Sequence, residues 1–212
     1  MINRDKTFTI STTEIRWFKN GEIPIDFLSW FHHLPGPITK QSPRVDYYYR
    51  NSKTNSSAIG IKIRDNKIEF KHSLGKLPEQ EFSPGIHGII EKFEKWSFPL
   101  GENFNDYISQ NKDTKTWLPI RKDRQLKVIS SENSCQSNIE SINMYYLNIE
   151  LTQLNIGNQY WWTLGFESSS EDKNISILMS SYLNKIFKDE EKIILTTDYS
   201  FGYSEWILDF LD

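Results

Sequence analysis

Residues 60–73 read GIKIRDNKIEFKHS, and their alternation decides how the rest of the chain is read. Lys62 and Arg64 alternate with Ile61 and Ile63; after Asp65-Asn66, Lys67, Glu69 and Lys71 alternate with Ile68 and Phe70. A period of two places successive side chains on opposite faces of a strand, and an Asp-Asn pair between two such runs is a turn. The stretch therefore predicts a β-hairpin with one apolar and one charged face. That charged face is either solvated or lines a site for something anionic.

The same alternation recurs at Phe8 to Phe18, Arg44 to Arg50, Ile59 to Arg64, Lys67 to Ser73, Pro119 to Ile129, Met144 to Leu154 and Tyr160 to Ser168. These runs are rich in Ile, Tyr, Phe, Trp and Thr and are broken by turn formers such as Ile156-Gly157-Asn158, which predicts a large antiparallel sheet. Helical spacing is seen in Ile86, Ile89, Ile90, Phe93 and Trp96, and again from Ile175 to Phe187 behind the capping run Ser169 to Asp172. Phe27, Leu28, Phe31 and Leu34 predict a shorter helix ended by Pro35-Gly36-Pro37, and a last one is expected over Ser204 to Leu211. The polar stretches Asn51 to Ser57 and Ser130 to Ser141 read as loops within one domain, residues 1–212, because strands of the same style flank both.

With 212 residues, 37% hydrophobic and 14% aromatic, the chain is long and apolar enough to bury a core. Its net charge of -3 and pI near 5.9 offer no global attraction for nucleic acid or acidic membranes, so an anion site has to be local. The single cysteine, Cys135, cannot form an internal disulfide. MINRDKTFTIST lacks the apolar core of a signal peptide, and no apolar run approaches the roughly 20 residues of a membrane span. The expectation is a cytoplasmic protein that engages neither membrane nor nucleic acid.

Sorting the strands by parity collects Glu14, Arg16, Asp46, Tyr48, Arg50, Lys62, Arg64, Lys67, Glu69, Lys71, Lys122, Arg124, Asn148, Glu150, Thr152, Thr163 and Glu167 on one face. The other face carries Ile15, Trp17, Val45, Tyr47, Tyr49, Ile61, Ile63, Ile68, Phe70, Leu147, Ile149, Leu151, Trp162, Leu164 and Phe166. In one reading the charged face is the wet outside of a sheet backed by helices. In the other the sheet is inverted: the apolar face looks outward to helices and the charges look into a solvated interior, where pre-positioned cations grip phosphate and interleaved carboxylates hold a hard divalent metal.

In order and parity, the segments TTEIRWF, RVDYYYR, GIKIR, KIEFKHSLG, PIRKDRQLKV, YLNIELTQL, WWTLGFES, the helix from Glu171 to Phe187 and YSFGYSEWIL resemble the CYTH superfamily, the triphosphate tunnel metalloenzymes. The resemblance spans nearly the whole chain through short motifs. It implies an α+β fold: a closed or nearly closed antiparallel β-barrel of about eight strands with helices outside, wide enough to hold one small ligand. It further implies that Lys62, Arg64, Lys71, Lys122 and Arg124, with Arg16 and Arg50 on the same face, grip a small phosphorylated anion. Glu14, Glu150 and Glu167 would be the carboxylates on the side of a Mg2+ or Mn2+ ion.

The chain also departs from that pattern. Where the family carries E-x-E-x-K in its first strand, Glu14, Arg16 and Phe18 stand here, and Gly165 replaces the first acid of a late E-x-E. Loss of acidic ligands weakens divalent binding, while Arg16 brings a bidentate fork suited to phosphate. The resulting expectation is a binder of triphosphate, polyphosphate or a related anion, with metal-dependent phosphohydrolase activity in question. The alternative is a non-catalytic module of the same kind that binds an organic anion or a protein partner.

Other chemistries find little support. The histidines at 32, 33, 72 and 87 lack metalloprotease spacing, and His32-His33 suits a helix end. Cys135 has no positioned base, no G-x-S-x-G elbow is present, and Gly75-Lys76 does not build a phosphate loop. Tyr47 to Tyr49 read as strand packing rather than a base-stacking platform. Trp161, Trp162 and Trp206 read as anchors for outer helices, and Tyr199 and Tyr203 as candidates to close one end.

Overall fold

The computed structural model describes residues 8–50, 56–101, 116–130, 146–169, 173–188, 190 and 193–211. Cys135, most of the two expected loops, and Ser170 to Asp172 lie outside the described residues. In chain order the elements are β1 (Phe8–Asn20), α1 (Ile25–His33), β2 (Ile38–Lys40), β3 (Arg44–Tyr49), β4 (Ile59–Arg64) and β5 (Lys67–Lys76). Then come β6 (Gln80–Ser83), β7 (Ile86–Gly88), β8 (Glu91–Pro99), β9 (Trp117–Ser130), β10 (Tyr146–Ile156) and β11 (Gln159–Ser168). The chain ends with α2 (Ile175–Phe187), a 3-10 turn (Thr197–Tyr199) and α3 (Tyr203–Phe210).

The hairpin of residues 60–73 forms as its alternation requires. Asp65 and Asn66 both take positive φ, 46° and 57°, the left-handed pair that matches the twist of a two-residue hairpin, and Arg64 pairs with Lys67 directly across it. From there the sheet runs β10-β11-β1-β8-β5-β4-β3-β9, and β9 pairs back onto β10, so these eight strands form an antiparallel ring. Short β2 adds to the edge of β9, and β6 with β7 forms a separate two-stranded sheet.

The expected helix from Ile86 to Trp96 is overturned: those residues form β7 and β8. β8 is the strand between β1 and β5, paired to one through Phe93 and Thr12 and to the other through Phe93 and Ser73. Its apolar spacing is compatible with a helix over a few residues. Two flanking ladders that pair its backbone along both edges outweigh that local preference.

The apolar parity of β1, β10 and β11 does face outward and is covered. Ile15, Trp17, Ile149, Leu151, Leu164 and Phe166 pack with Phe27 and Phe31 of α1, with Met179, Leu183 and Phe187 of α2, and with Phe82, Ile86 and Leu195. Trp17 is edge-on to Phe82, Phe166 and Phe187 at 6.3 Å, and its indole N–H donates to the His87 carbonyl at 2.7 Å. Among the described residues the cover is uneven. On the opposite wall Val45, Tyr49 and Ile59 stay exposed.

Lys127, fully buried on the outer face, donates to the carbonyls of His32, Leu34 and Gly36 and so fixes the end of α1. His33 also meets the Ser29 carbonyl one turn back in that helix, Nδ1 to O at 2.7 Å. Among the described residues no helix is long and apolar enough to cross a membrane.

One end of the ring interior is filled by a second core: Phe18, Tyr48, Leu118, Ile120, Leu154, Trp161, Phe201, Trp206 and Ile207. Trp206 of α3 stacks on Phe18 at 4.5 Å and 13°, and Trp161 meets it edge-on at 5.6 Å. Thus Trp161 and Trp206 are interior residues rather than anchors for outer helices. Trp162 alone of the three packs outside, 4.5 Å from Phe27. Gly60, the first residue of the decisive stretch, lies directly beneath Ser204 Oγ, and a side chain there would collide with the start of α3.

Candidate functional site

Above that apolar floor one alternate set of residues from each strand lines an internal pocket. β1 contributes Glu14 and Arg16, β3 Arg44 and Tyr48, β4 Lys62 and Arg64, β5 Glu69 and Lys71, and β8 Glu91, Phe93 and Lys95. β9 gives Lys122 and Arg124, β10 Glu150, β11 Glu167, and the start of α3 gives Tyr203, Ser204 and Glu205. Parity is the reason for this convergence: a ring closed on itself sends one alternate set of side chains inward from every strand.

The charges form three linked groups. In the first, Glu69 is shared by Lys62 Nζ at 3.0 Å, Arg64 Nε at 2.8 Å and Lys95 Nζ at 3.6 Å. In the second, fully buried Asp46 meets Arg44 Nε at 2.9 Å and Lys122 Nζ at 3.3 Å, and Lys122 also donates to the Tyr48 hydroxyl at 2.7 Å. The third is a chain: Lys71 to Glu14, Glu14 to Arg16 at 2.6 Å, Arg16 to Glu150 at 2.9 Å, and Glu150 to Arg124 at 2.9 Å. On the wall built by β3, β4, β5, β8 and β9, cations therefore outnumber carboxylates.

Burial, together with that arrangement of charges, sets the titration of these groups. Burial, reinforced by the neighbouring Arg64, brings the Lys62 ammonium down to about 8 although Glu69 and Asp46 oppose it. Burial brings Lys122 down to about 7, with Asp46 pulling upward and Lys62 pushing further down. For Glu69, burial raises the carboxyl but Lys62, Lys95 and Arg64 outweigh it and hold it at about 2. Burial likewise acts against the Glu14 charge, and Lys71 and Arg16 override it, again to about 2. Glu14 and Glu69 are thus over-compensated and Lys62 and Lys122 under-compensated, whereas Lys71 is raised by Glu14 against its burial, and burial raises Glu91.

Aromatic faces complete the pocket. The Tyr203 ring lies under Lys122 Nζ at 3.7 Å and under the Arg16 guanidinium at 5.1 Å, and stacks on Tyr48 at 5.2 Å. Lys71 Nζ sits 4.1 Å from the centre of Phe93.

No family model and no curated protein matches this chain. The site is thus read on its own geometry.

Lys62, Arg64, Lys71, Lys122, Arg124 and Arg16, expected on one face, are brought together. Arg50 is not: it follows β3 beyond Tyr48, outside the residues lining the pocket, with its backbone N–H on Thr116 O. Glu14, Glu150 and Glu167 also converge, and Glu14 pairs with Glu167 across β1 and β11. The donor set nevertheless does not fit a divalent ion, because Glu14 and Glu150 direct their oxygens at Arg16, Lys71 and Arg124. Among the described residues no group of three or more His, Cys, Asp or Glu side chains could hold a metal.

Sequence reasoning missed Glu91, Phe93 and Lys95, since β8 was read as a helix. The signal available was parity: Glu91, Phe93, Lys95 and Ser97 form one alternate set in a stretch rich in Phe and Trp and ended by Pro99. Arg44, at the start of the same alternating run as Asp46 and Tyr48, was not among the expected pocket residues. Glu205, which pairs with Lys76 at 2.5 Å, belongs to the helix that closes the floor and has no strand parity to reveal it.

Proposed function

We propose that the ring is a barrel whose interior is a tunnel blocked at one end, and that this interior binds a triphosphate, a polyphosphate or a related phosphorylated anion. The observation that carries the reading is Glu69: one carboxylate shared by Lys62, Arg64 and Lys95, next to Lys122, Arg44 and Arg124, which Asp46 and Glu150 only partly balance. A cluster of buried cations with too little counter-charge is costly by itself, and the depressed Lys62 and Lys122 express that cost. A multiply charged anion relieves it through charge-assisted hydrogen bonds from ammonium and guanidinium groups. Binding is what this arrangement supports best. Hydrolysis by a metal-activated water lacks a fitting donor set, so the proposal is one of phosphorylated-anion binding without metal-dependent hydrolysis. The lone Cys135 supports a reducing, cytoplasmic setting.

Calorimetric titration with tripolyphosphate tests it. Removing two charge-assisted contacts, the double substitution Lys62→Ala, Arg64→Ala is expected to weaken binding about 100-fold or more while the far-ultraviolet spectrum stays that of a β-rich fold. An unchanged Kd in the double variant sinks the assignment, as does saturable wild-type binding that Lys67→Ala on the exposed rim weakens equally. Free phosphate is expected not to accumulate during the titration.

A further inference from the structure

The row of residues across β1, β11 and β10 is Arg16, Gly165 and Glu150, each directly paired with the next. A Cβ placed on Gly165 would stand 2.5 Å from the Arg16 guanidinium carbon and 2.5 Å from Nη2. The arginine thus crosses β11 over the one position without a side chain. It reaches Glu150 with Nη1 while Nε remains on Glu14, and Thr163 Oγ1 accepts from Nη1 at 3.4 Å. Arg16 is 5% exposed and Glu14 3%, so neither swings out into solvent without breaking this arrangement. The ring of Tyr203 covers the guanidinium from the side of the floor.

Two departures from the expected acidic pattern are therefore one feature. Gly165 is bare because the guanidinium fills the space in front of it, and the guanidinium is held because two carboxylates face it. A charge buried between two carboxylates, with geometry fixed by three acceptors, does the electrostatic work that a bound cation would do there.

We infer that Arg16, laid across Gly165, is a permanent internal cation between Glu14 and Glu150, so that the pocket takes its phosphorylated anion without a divalent metal. The first half of this stands on the Arg16 geometry. The second half rests on the anion-binding reading above. Together they make the site self-sufficient in charge.

Mn2+ alone and tripolyphosphate serve as probes on the full chain. Wild-type protein titrated with Mn2+ in the absence of phosphate is expected to show neither saturable heat nor a change in Tm. Saturable Mn2+ binding that Glu14→Gln abolishes overturns the inference. Tripolyphosphate is then titrated in EDTA and in Mn2+, compared at equal free ligand; the two Kd values are expected to agree within about 2-fold, and tightening of about tenfold or more by Mn2+ overturns it. Arg16→Ala frees Glu14 and Glu150 from their internal cation and is expected to gain a Tm rise with Mn2+ that the wild type lacks. Should Arg16→Ala fail to fold, the wild-type titrations decide by themselves. No tripolyphosphate binding in either buffer overturns the anion reading and the second half with it, while the titration with Mn2+ alone still decides the first.

Discussion

Trp206→Ala lowers the stability of this fold by about 3–5 kcal/mol, the usual cost of emptying a large aromatic site in a core. Trp206 is fully buried, stacked on Phe18 at 4.5 Å and edge-on to Trp161 and Tyr203 at 5.6 and 5.9 Å. The hole cannot close by collapse, because its other walls are ring strands pinned on both edges. Denaturant unfolding measures the loss, and a change below about 1 kcal/mol, the size of a surface substitution, contradicts the interior placement of α3. Tripolyphosphate binding is expected to weaken in parallel. Tyr203 and Ser204, which line the pocket, start the helix that Trp206 anchors.

Tripolyphosphate binding weakens as pH rises through the range 7–9, and binding takes up protons. Lys62 titrates at about 8 and Lys122 at about 7 in the folded protein, both below their usual 10.5. A phosphate placed against either ammonium favours the charged form, so the complex holds protons that the free protein has released. Above both values the expected penalty is roughly tenfold per pH unit for each lysine. The anion itself titrates, and Lys62→Met isolates the protein's share: at pH 8, where the Lys62 ammonium is about half charged before binding, the variant is expected to take up about half a proton fewer, read from the dependence of binding heat on buffer ionisation enthalpy. Equal uptake by wild type and variant at pH 8 contradicts this.

Without ligand the sign reverses. Unfolded lysines keep their protons up to about 10.4, whereas the folded protein sheds them earlier, so the unfolded state binds more protons between about 7 and 10 and stability rises across that window. At the acid end, Glu14 and Glu69 titrate near 2 against a usual 4.5. Their contribution is complete above about 4.5 and is lost as pH falls toward 2.

The hairpin of residues 60–73 was legible because hairpin patterning is local: alternation and two turn residues specify it without reference to distant chain. The inward direction of its charges was not legible from the hairpin, since parity assigns residues to faces and not faces to solvent. That direction follows from ring closure, which depends on β8 joining β1 to β5, and β8 carries a spacing that local reasoning takes for a helix. Lys95, Glu91 and Phe93 went unrecognised for the same reason. Arg16 and Gly165 were each legible as departures from an acidic pattern, but their dependence on one another was not. They are 149 positions apart and meet only through the β1–β11 register.

The place of β1 in the ring governs when this protein can fold during its synthesis. Residues 8–20 leave the ribosome well before their neighbours, residues 91–99 and 159–168. At ~5–20 residues per second the first strand waits on the order of ten seconds for its last partner, with both edges open to other chains until β8 is made and one edge open after that. Its early segment FTISTT carries no charge, while Glu14, Arg16 and Lys19 follow within a few positions. The charged residues that hold the finished pocket together thus have an earlier duty as gatekeepers, keeping an unpaired strand from aggregating until the ring can close around it.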